Sequence, residues 1–202
     1  WLGGYGFNGG SAFGANEFAG LAYMTTTISA SIAAITWILL EWFVYKKPTL
    51  LGAATGIIAG LVAITPAAGF VSVGGAFVIG IIGSVFAFYG VTMMKKKLGY
   101  DDSLDAFGVH FLAGLWGAIA TGIFALNDQD LLWDGPLKEG GDRMAQILVQ
   151  FESVIVVGLF TAIGTVVVYY IAVLLTGGKR VDEEQESMGL DESVPGERGF
   201  NL

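Results

Sequence analysis

Five long apolar runs, each closed by charge, proline or a polar loop, leave this chain very few possible folds. They occupy residues 21–45, 50–67, 71–94, most of 100–125, and 144–175. A bilayer core about 30 Å thick needs roughly 20 apolar residues in one helix, and a helix satisfies its own backbone hydrogen bonds where no water can. The expected fold class is therefore an all-α membrane protein, a polytopic helical bundle. The composition agrees: 54% of the residues are hydrophobic, 14% are charged and 31 of 202 are glycine, whereas a soluble core of this size does not require unbroken apolar runs. The formal charge of −8 comes from carboxylates gathered in the loop 127–143 and in the final tail. It describes those segments and implies no nucleic-acid partner. Without cysteine, disulfides and thiolate metal sites are excluded.

Residues 1–10 read as the end of a span that begins upstream, because the chain opens on Trp1-Leu2 rather than on a methionine with a basic segment. NGGSAFGAN then makes a turn. The second span stops at Glu41-Trp42 and Lys46-Lys47-Pro48, where an aromatic and two lysines mark an interface and proline ends the helix. Gly52, Gly56 and Gly60 recur every four positions in the third span, and Gly75, Gly80 and Gly83 crowd the fourth, the pattern of membrane helices in backbone contact. Thr65-Pro66 closes the third span, and Lys95-Lys96-Lys97 ends the fourth. Seven of the ten basic residues, Lys46, Lys47, Lys95, Lys96, Lys97, Lys179 and Arg180, lie at alternate ends. Those ends are expected to be cytoplasmic, which puts the C-terminus inside. The domain division follows as residues 1–180 in the membrane and 181–202 as a cytoplasmic tail.

The chain's single histidine, His110, falls inside the fifth span, the run 100–125. Ser103 is predicted to cap this helix, with Asp105 in its first turn near the positive end of the dipole. His110 then lies roughly 10 Å beyond the cap. In a soluble protein a lone histidine on an apolar helix is usually a satisfied packing residue. An unpaired polar group in hydrocarbon costs several kcal/mol, so here it is expected to face a bundle interior or a water-filled path. Asp105 is read as a structural partner of helix ends. In a regular helix it would stand about 140° from His110, so the two would not share a face. Phe7, Trp37, Trp42 and Trp116 read as lipid-facing or interfacial. Channel, transporter, enzyme and plain structural subunit all remain open at this point.

Several blocks resemble one family, the ammonium transporters of the Amt/Mep/Rh group, on the microbial Amt side. DDSLDAFGVHFLAGLWGAIATGIFA is similar to the family's tenth helix, GFNGGSAFGAN to the end of its sixth, and EWFVYKKPTLLGAATGIIAGLVAITPAAGFVSVGGA to its seventh to ninth. The GLDES-containing tail is similar to its cytoplasmic terminus. The resemblance implies the second inverted repeat plus the last helix of an eleven-span fold, with the first half, its first pore histidine and its aromatic cation site lying outside this sequence. It further implies that His110 is the second of a twin-histidine pair lining a hydrophobic pore and that Phe7 gates the outer mouth. Ser11 would contact the cation in the external vestibule, Thr65 would lie near the same path, and Asp105 would support the pore helix. A homotrimer in the cell membrane, ammonium or ammonia as substrate, and a cytosolic PII-type signalling protein as partner are implied too. No cofactor, no metal and no enzymatic activity are implied.

Such a mechanism is physically reasonable. A hydroxyl and aromatic faces can collect a small cation that cannot be desolvated into hydrocarbon. Deprotonation yields ammonia, which imidazoles can guide by donating and accepting hydrogen bonds without a fixed charge, with or without net proton movement. Potassium has no proton to lose. Two alternatives stand beside this reading: an ammonium sensor of the same fold, and an intramembrane serine protease built on Gly9-Gly10-Ser11-Ala12 with His110 as base. The protease demands hydrogen-bond contact between residues expected roughly 20 Å apart across the membrane. For the tail, seven carboxylates against Arg198 alone favour a solvated, disordered segment, whereas Met188, Leu190 and Phe200 are spaced as docking anchors.

Overall fold

The computed structural model describes residues 1–126, 141–178, 180–194 and 196. Its secondary structure is helical apart from one isolated antiparallel bridge, Val71 to Ala125. In chain order the helices are α1 (Leu2–Gly10), α2 (Glu17–Tyr45), α3 (Leu50–Ile64) and α4 (Val73–Tyr89). A π-helical stretch π1 (Gly90–Met94) and the short α5 (Lys95–Leu98) continue α4. A second π-helical stretch π2 (Phe107–Leu112) leads into α6 (Ala113–Phe124), and α7 (Arg143–Thr176), α8 (Glu183–Met188) and α9 (Leu190–Ser193) follow. Among the described residues, four helices are long and apolar enough to cross a membrane, at 17–45, 73–98, 107–124 and 143–176. The third expected span is shorter, because Thr65-Pro66 and the turns after it end α3 at Ile64.

Local chemistry sets these boundaries. Asn16 opens α2 by accepting a hydrogen bond from the Ala19 amide at 3.1 Å, and Ser72 opens α4 by accepting from Gly75 at 3.1 Å. Lys46 ends α2 in the left-handed conformation, φ 61°, two residues before Pro48. Thr49 caps α3 by accepting from the Gly52 amide at 2.8 Å. The Thr49 amide and hydroxyl in turn donate to Glu41, at 2.7 and 3.1 Å. Glu41 also accepts from Trp37 Nε1 at 3.3 Å. The expected interfacial role of Trp37 is thereby overturned: the ring is 3% exposed, edge-on to Phe88 at 5.2 Å, because Glu41 one turn on satisfies its N–H. Trp116, half-buried, donates to the Ile79 carbonyl at 3.1 Å instead of facing lipid, whereas Trp42 is exposed as expected.

The chain forms two compact units, Trp1–Val154 and Ile155–Leu202, with the boundary inside α7. In the first, α2 lies against α1, α3 and α4, while α6 packs on α3 and α4. The glycine spacing does the work expected of it. A Cβ on Gly60 would fall 2.5 Å from the Ser29 carbonyl, and one on Gly80 would fall 2.5 Å from the same oxygen, so α2, α3 and α4 touch backbone to backbone. Buried hydroxyls join the same crossings: Ser29 donates to Gly60 O and Ser84 to Ala33 O, both at 2.9 Å. Contacts between α4 and the π2–α6 helix pair Gly75 with Phe124, Gly83 with Trp116 and Gly90 with Gly108, so the two run antiparallel.

In the second unit the apolar side chains of α7 are exposed over its length. The described part of the tail carries helical turns, where its charge favoured a solvated, disordered segment: Arg180 bonds Glu186 at 2.6 Å, and Ser193 donates to the Gln185 carbonyl at 3.1 Å. Met188 and Leu190 are exposed; Phe200 and the loop 127–140 lie outside the described residues.

Candidate functional site

π2 carries His110, and its start differs from the expected one. Asp102, not Ser103, caps it, accepting from the Ala106 and Phe107 amides at 2.9 Å each. A carboxylate reaches two amides where a hydroxyl satisfies one, and it complements the positive end of the helix dipole. Asp105 precedes the helix with φ 54°, so the 140° separation reckoned on a regular helix does not apply. Its carboxylate pairs with Lys95 Nζ at 2.7 Å, and the same ammonium reaches the Asp102 carbonyl, tying the end of π1 to the start of π2. Tyr100 lies just before these carboxylates. Partial burial, then the charge of Asp102, hold its phenol above the usual range, with Lys95 opposing them.

His110 is exposed on the surface of the first unit, between buried Val109 and half-exposed Phe111. Its imidazole has no hydrogen-bond or ionic partner among the described residues. A polar ring on a membrane-length apolar helix must face another protein surface or water, since lipid offers it no partner. Phe111 stacks on Phe107 at 4.9 Å, and Phe107 meets Tyr100 edge-on at 5.2 Å, a column of rings beside the histidine.

The other predicted residues sit where α1 and α3 end. Ser11 follows α1 and donates its hydroxyl to the Phe7 carbonyl at 2.6 Å, which leaves its oxygen lone pairs free to accept. It lines a cavity of about 250 Å³ with Asn8, Ala12, Phe18, Ala22, Ala68, Gly69 and Phe70. Asn8, buried and donating to Thr26 Oγ1 at 2.9 Å, was not singled out from the sequence. A lone asparagine in a Gly-rich segment reads as a turn residue, so no signal marked it. Phe7 is 67% exposed and is not among the cavity's lining residues. Thr65 caps the end of α3, exposed, with its hydroxyl donating to Leu61 O at 2.7 Å. Ser11 is thus brought to a cavity, Asp105 to Lys95, and His110 and Phe7 to open surface. No cluster of three or more metal-ligating side chains exists among the described residues.

The profile of the Ammonium Transporter Family matches residues 1–200. An ammonium transporter of Aquifex aeolicus (strain VF5) is 46% identical over 202 residues, covering 100% of this chain and 46% of that protein. One of Bacillus subtilis (strain 168) is 44% identical, covering 99% and 49%. Among solved structures, Saccharomyces cerevisiae Mep2 superposes with a TM-score of 0.80 at 31% identity, over 91% of this chain and 42% of that one. A sensor Amt protein does so with 0.81 at 30%, over 96% and 46%. The chain spans about half the length of the curated relatives it matches, and those relatives are named as transporters, not enzymes. With its membrane-length apolar helices and a match that runs through the histidine-bearing π2–α6 helix, this multi-pass membrane chain belongs to the ammonium transporter family.

Proposed function

We propose that this chain is part of an ammonium transporter in which His110 lines a hydrophobic pore that conducts ammonia. The observation that carries the reading is the exposed, unpartnered imidazole on an apolar membrane-length helix. Such a ring calls for a facing surface, and a second half-bundle supplies one. Residues 1–180 form the membrane region in this reading, and residues 181–202 a cytoplasmic tail. At the outer end, Ser11 offers hydroxyl lone pairs in a cavity that the rings of Phe18 and Phe70 also line, a setting in which a hydroxyl and an aromatic face can recruit a small cation. Phe7 stands over the path as an exposed aromatic gate, Thr65 borders it, and Asp105 braces the pore helix through Lys95.

The topology follows from charge. α2 and α4 run the same way, with Tyr45 level with Phe88 at 6.2 Å, so Lys46-Lys47 and Lys95-Lys96-Lys97 share one side, assigned to the cytoplasm. The protein then lies in the cell membrane with its C-terminus inside. The exposed apolar length of α7 suits lipid or a second copy, as a homotrimer requires, and the tail offers a surface to a PII-type signalling partner. A sensor of the same fold is the second reading, favoured by the likeness to the sensor Amt protein. Replacing His110 with Ala in the intact protein is expected to reduce ammonium flux or relax its preference over potassium without preventing insertion. Wild-type rate and selectivity would sink the pore assignment, and binding without flux would select the sensor.

A further inference from the structure

π-helical turns are rare in globular folds and recur at functional sites. This chain places two of them against each other. π1 and π2 meet through Gly90 and Gly108, both buried. A Cβ on Gly90 would lie 2.8 Å from the Gly108 Cα and 2.6 Å from Leu112 Cδ1, and one on Gly108 would lie 2.9 Å from the Val91 amide nitrogen. The two backbones are in contact, and neither site has room for a methyl group. Gly90 is also where the widened turn is stabilised: its carbonyl accepts the Lys95 amide five residues on, and Tyr100 Oη donates to the same oxygen at 3.3 Å. Tyr100 begins the ring column that ends at Phe111, next to His110.

A π-turn admits one residue more than the regular helix and so re-aims every side chain beside it. In π2 the residues pressed toward the core are Gly108 and Val109, and the next, His110, is the one turned out to the open surface. Closing π2 to a regular α-helix would swing the ring away from that direction. We propose that Gly90 and Gly108 are positioning residues for His110: their contact holds the paired π-turns, and the π-turn sets the direction of the imidazole. Tyr100 is the polar latch of the same device, since its hydroxyl holds the Gly90 carbonyl while its ring supports Phe107. This rests on the reading of His110 as a pore-facing group.

The test is a double-mutant cycle in the intact transporter, with the ammonium-to-potassium flux ratio as readout, because lost protein abundance does not move a ratio. Gly90→Ala is expected to change the ratio about tenfold, the scale of a displaced reacting group, and to have no further effect once His110 is already Ala. Gly75→Ala, at the other end of the same helix pair and 3.2 Å from Phe124 Cβ, is expected to leave the ratio unchanged. Tyr100→Phe keeps the ring but removes the latch. It is expected to move the ratio in the same direction by about threefold, as loss of one hydrogen bond allows, and it carries the test if Gly90→Ala fails to insert. Effects of Gly90→Ala or Tyr100→Phe that persist unchanged in the His110→Ala background, or no change of ratio in either, overturn the positioning role. A silent His110→Ala would instead overturn the pore reading beneath it.

Discussion

The two ends of the α4–α6 pair are held together in different ways. At the end where Gly75 meets Phe124 the helices are regular and the chain is tied by backbone, Val71 bridging Ala125 and the Leu126 amide donating to Phe70 O at 2.9 Å, while farther along α6 Gly117 rests directly on the Ala63 carbonyl of α3. Arg143 adds to it by donating to the Ile123 and Ala125 carbonyls at 2.7 and 2.9 Å, which satisfies the last turn of α6. At the opposite end, beside His110, the glycines meet within π-turns, and side chains do the tying, Lys95 to Asp105 and Tyr100 to Gly90. Small residues permit contact but do not choose the helix type. The end that carries His110 spends its regularity on aiming it; the opposite end keeps the α-helix.

Gly117→Ala should show the largest effect, because the new methyl meets the Ala63 backbone, which cannot rotate away. A loss of about 3 kcal/mol is expected, read as a lower unfolding temperature in detergent; an unchanged temperature would mean the Gly117–Ala63 contact is not tight. Next comes Glu41→Ala, which strips the Thr49 and Trp37 donors of their acceptor where α2 turns into α3. About 2 kcal/mol is expected, with Glu41→Gln retaining most of it, and equal losses in both variants would show that charge rather than hydrogen bonding matters there.

Lys95→Met tests the Lys95–Asp105 clasp itself. Both partners are about a third exposed, 30% and 32%, so water and salt screen the pair and its contribution to stability is small. Stability should fall slightly while the ammonium-to-potassium ratio shifts; a large stability loss with an unmoved ratio would make the clasp merely structural. The smallest effect belongs to the tail. The Arg180 guanidinium, first by hydrogen bonding and then by charge, holds the Glu186 carboxyl below its ordinary 4.5. A depressed folded pKa means that the contribution is present above the ordinary value and fades as pH falls through the lowered one. Amide exchange in α8 should therefore quicken, after correction for its intrinsic rate, only below pH 4.5. Faster exchange already at neutral pH would show that the pair does not hold the turn.

Much of this fold could be read before the structure. α2, α4 and α7 fall within a few residues of the expected runs, because length without charge is a one-dimensional property that the bilayer reads directly. Glycine spacing likewise announced close contacts, and α2, α3 and α4 meet at Gly60 and Gly80. The position of His110 in an apolar helix needed only the order of residues. What stayed hidden depends on partners distant in sequence or on a choice between near-equal local options. Asp102 rather than Ser103 caps π2 because Lys95, ten positions before Asp105, draws that residue into a left-handed conformation ahead of the helix. Trp37 is buried because Gly56 leaves a gap on α3 and Glu41 takes its N–H.

The π-turns are the clearest case. No residue in GVTMM or FGVHFL prefers i+5 over i+4 hydrogen bonding, and either half alone would be regular. The sequence by itself determined that this chain is a set of apolar helices with one histidine among them, since hydropathy and periodicity are local. Only tertiary structure decided where that histidine points, because the direction comes from two glycine backbones pressed together across a helix pair, and that contact exists only in the packed bundle.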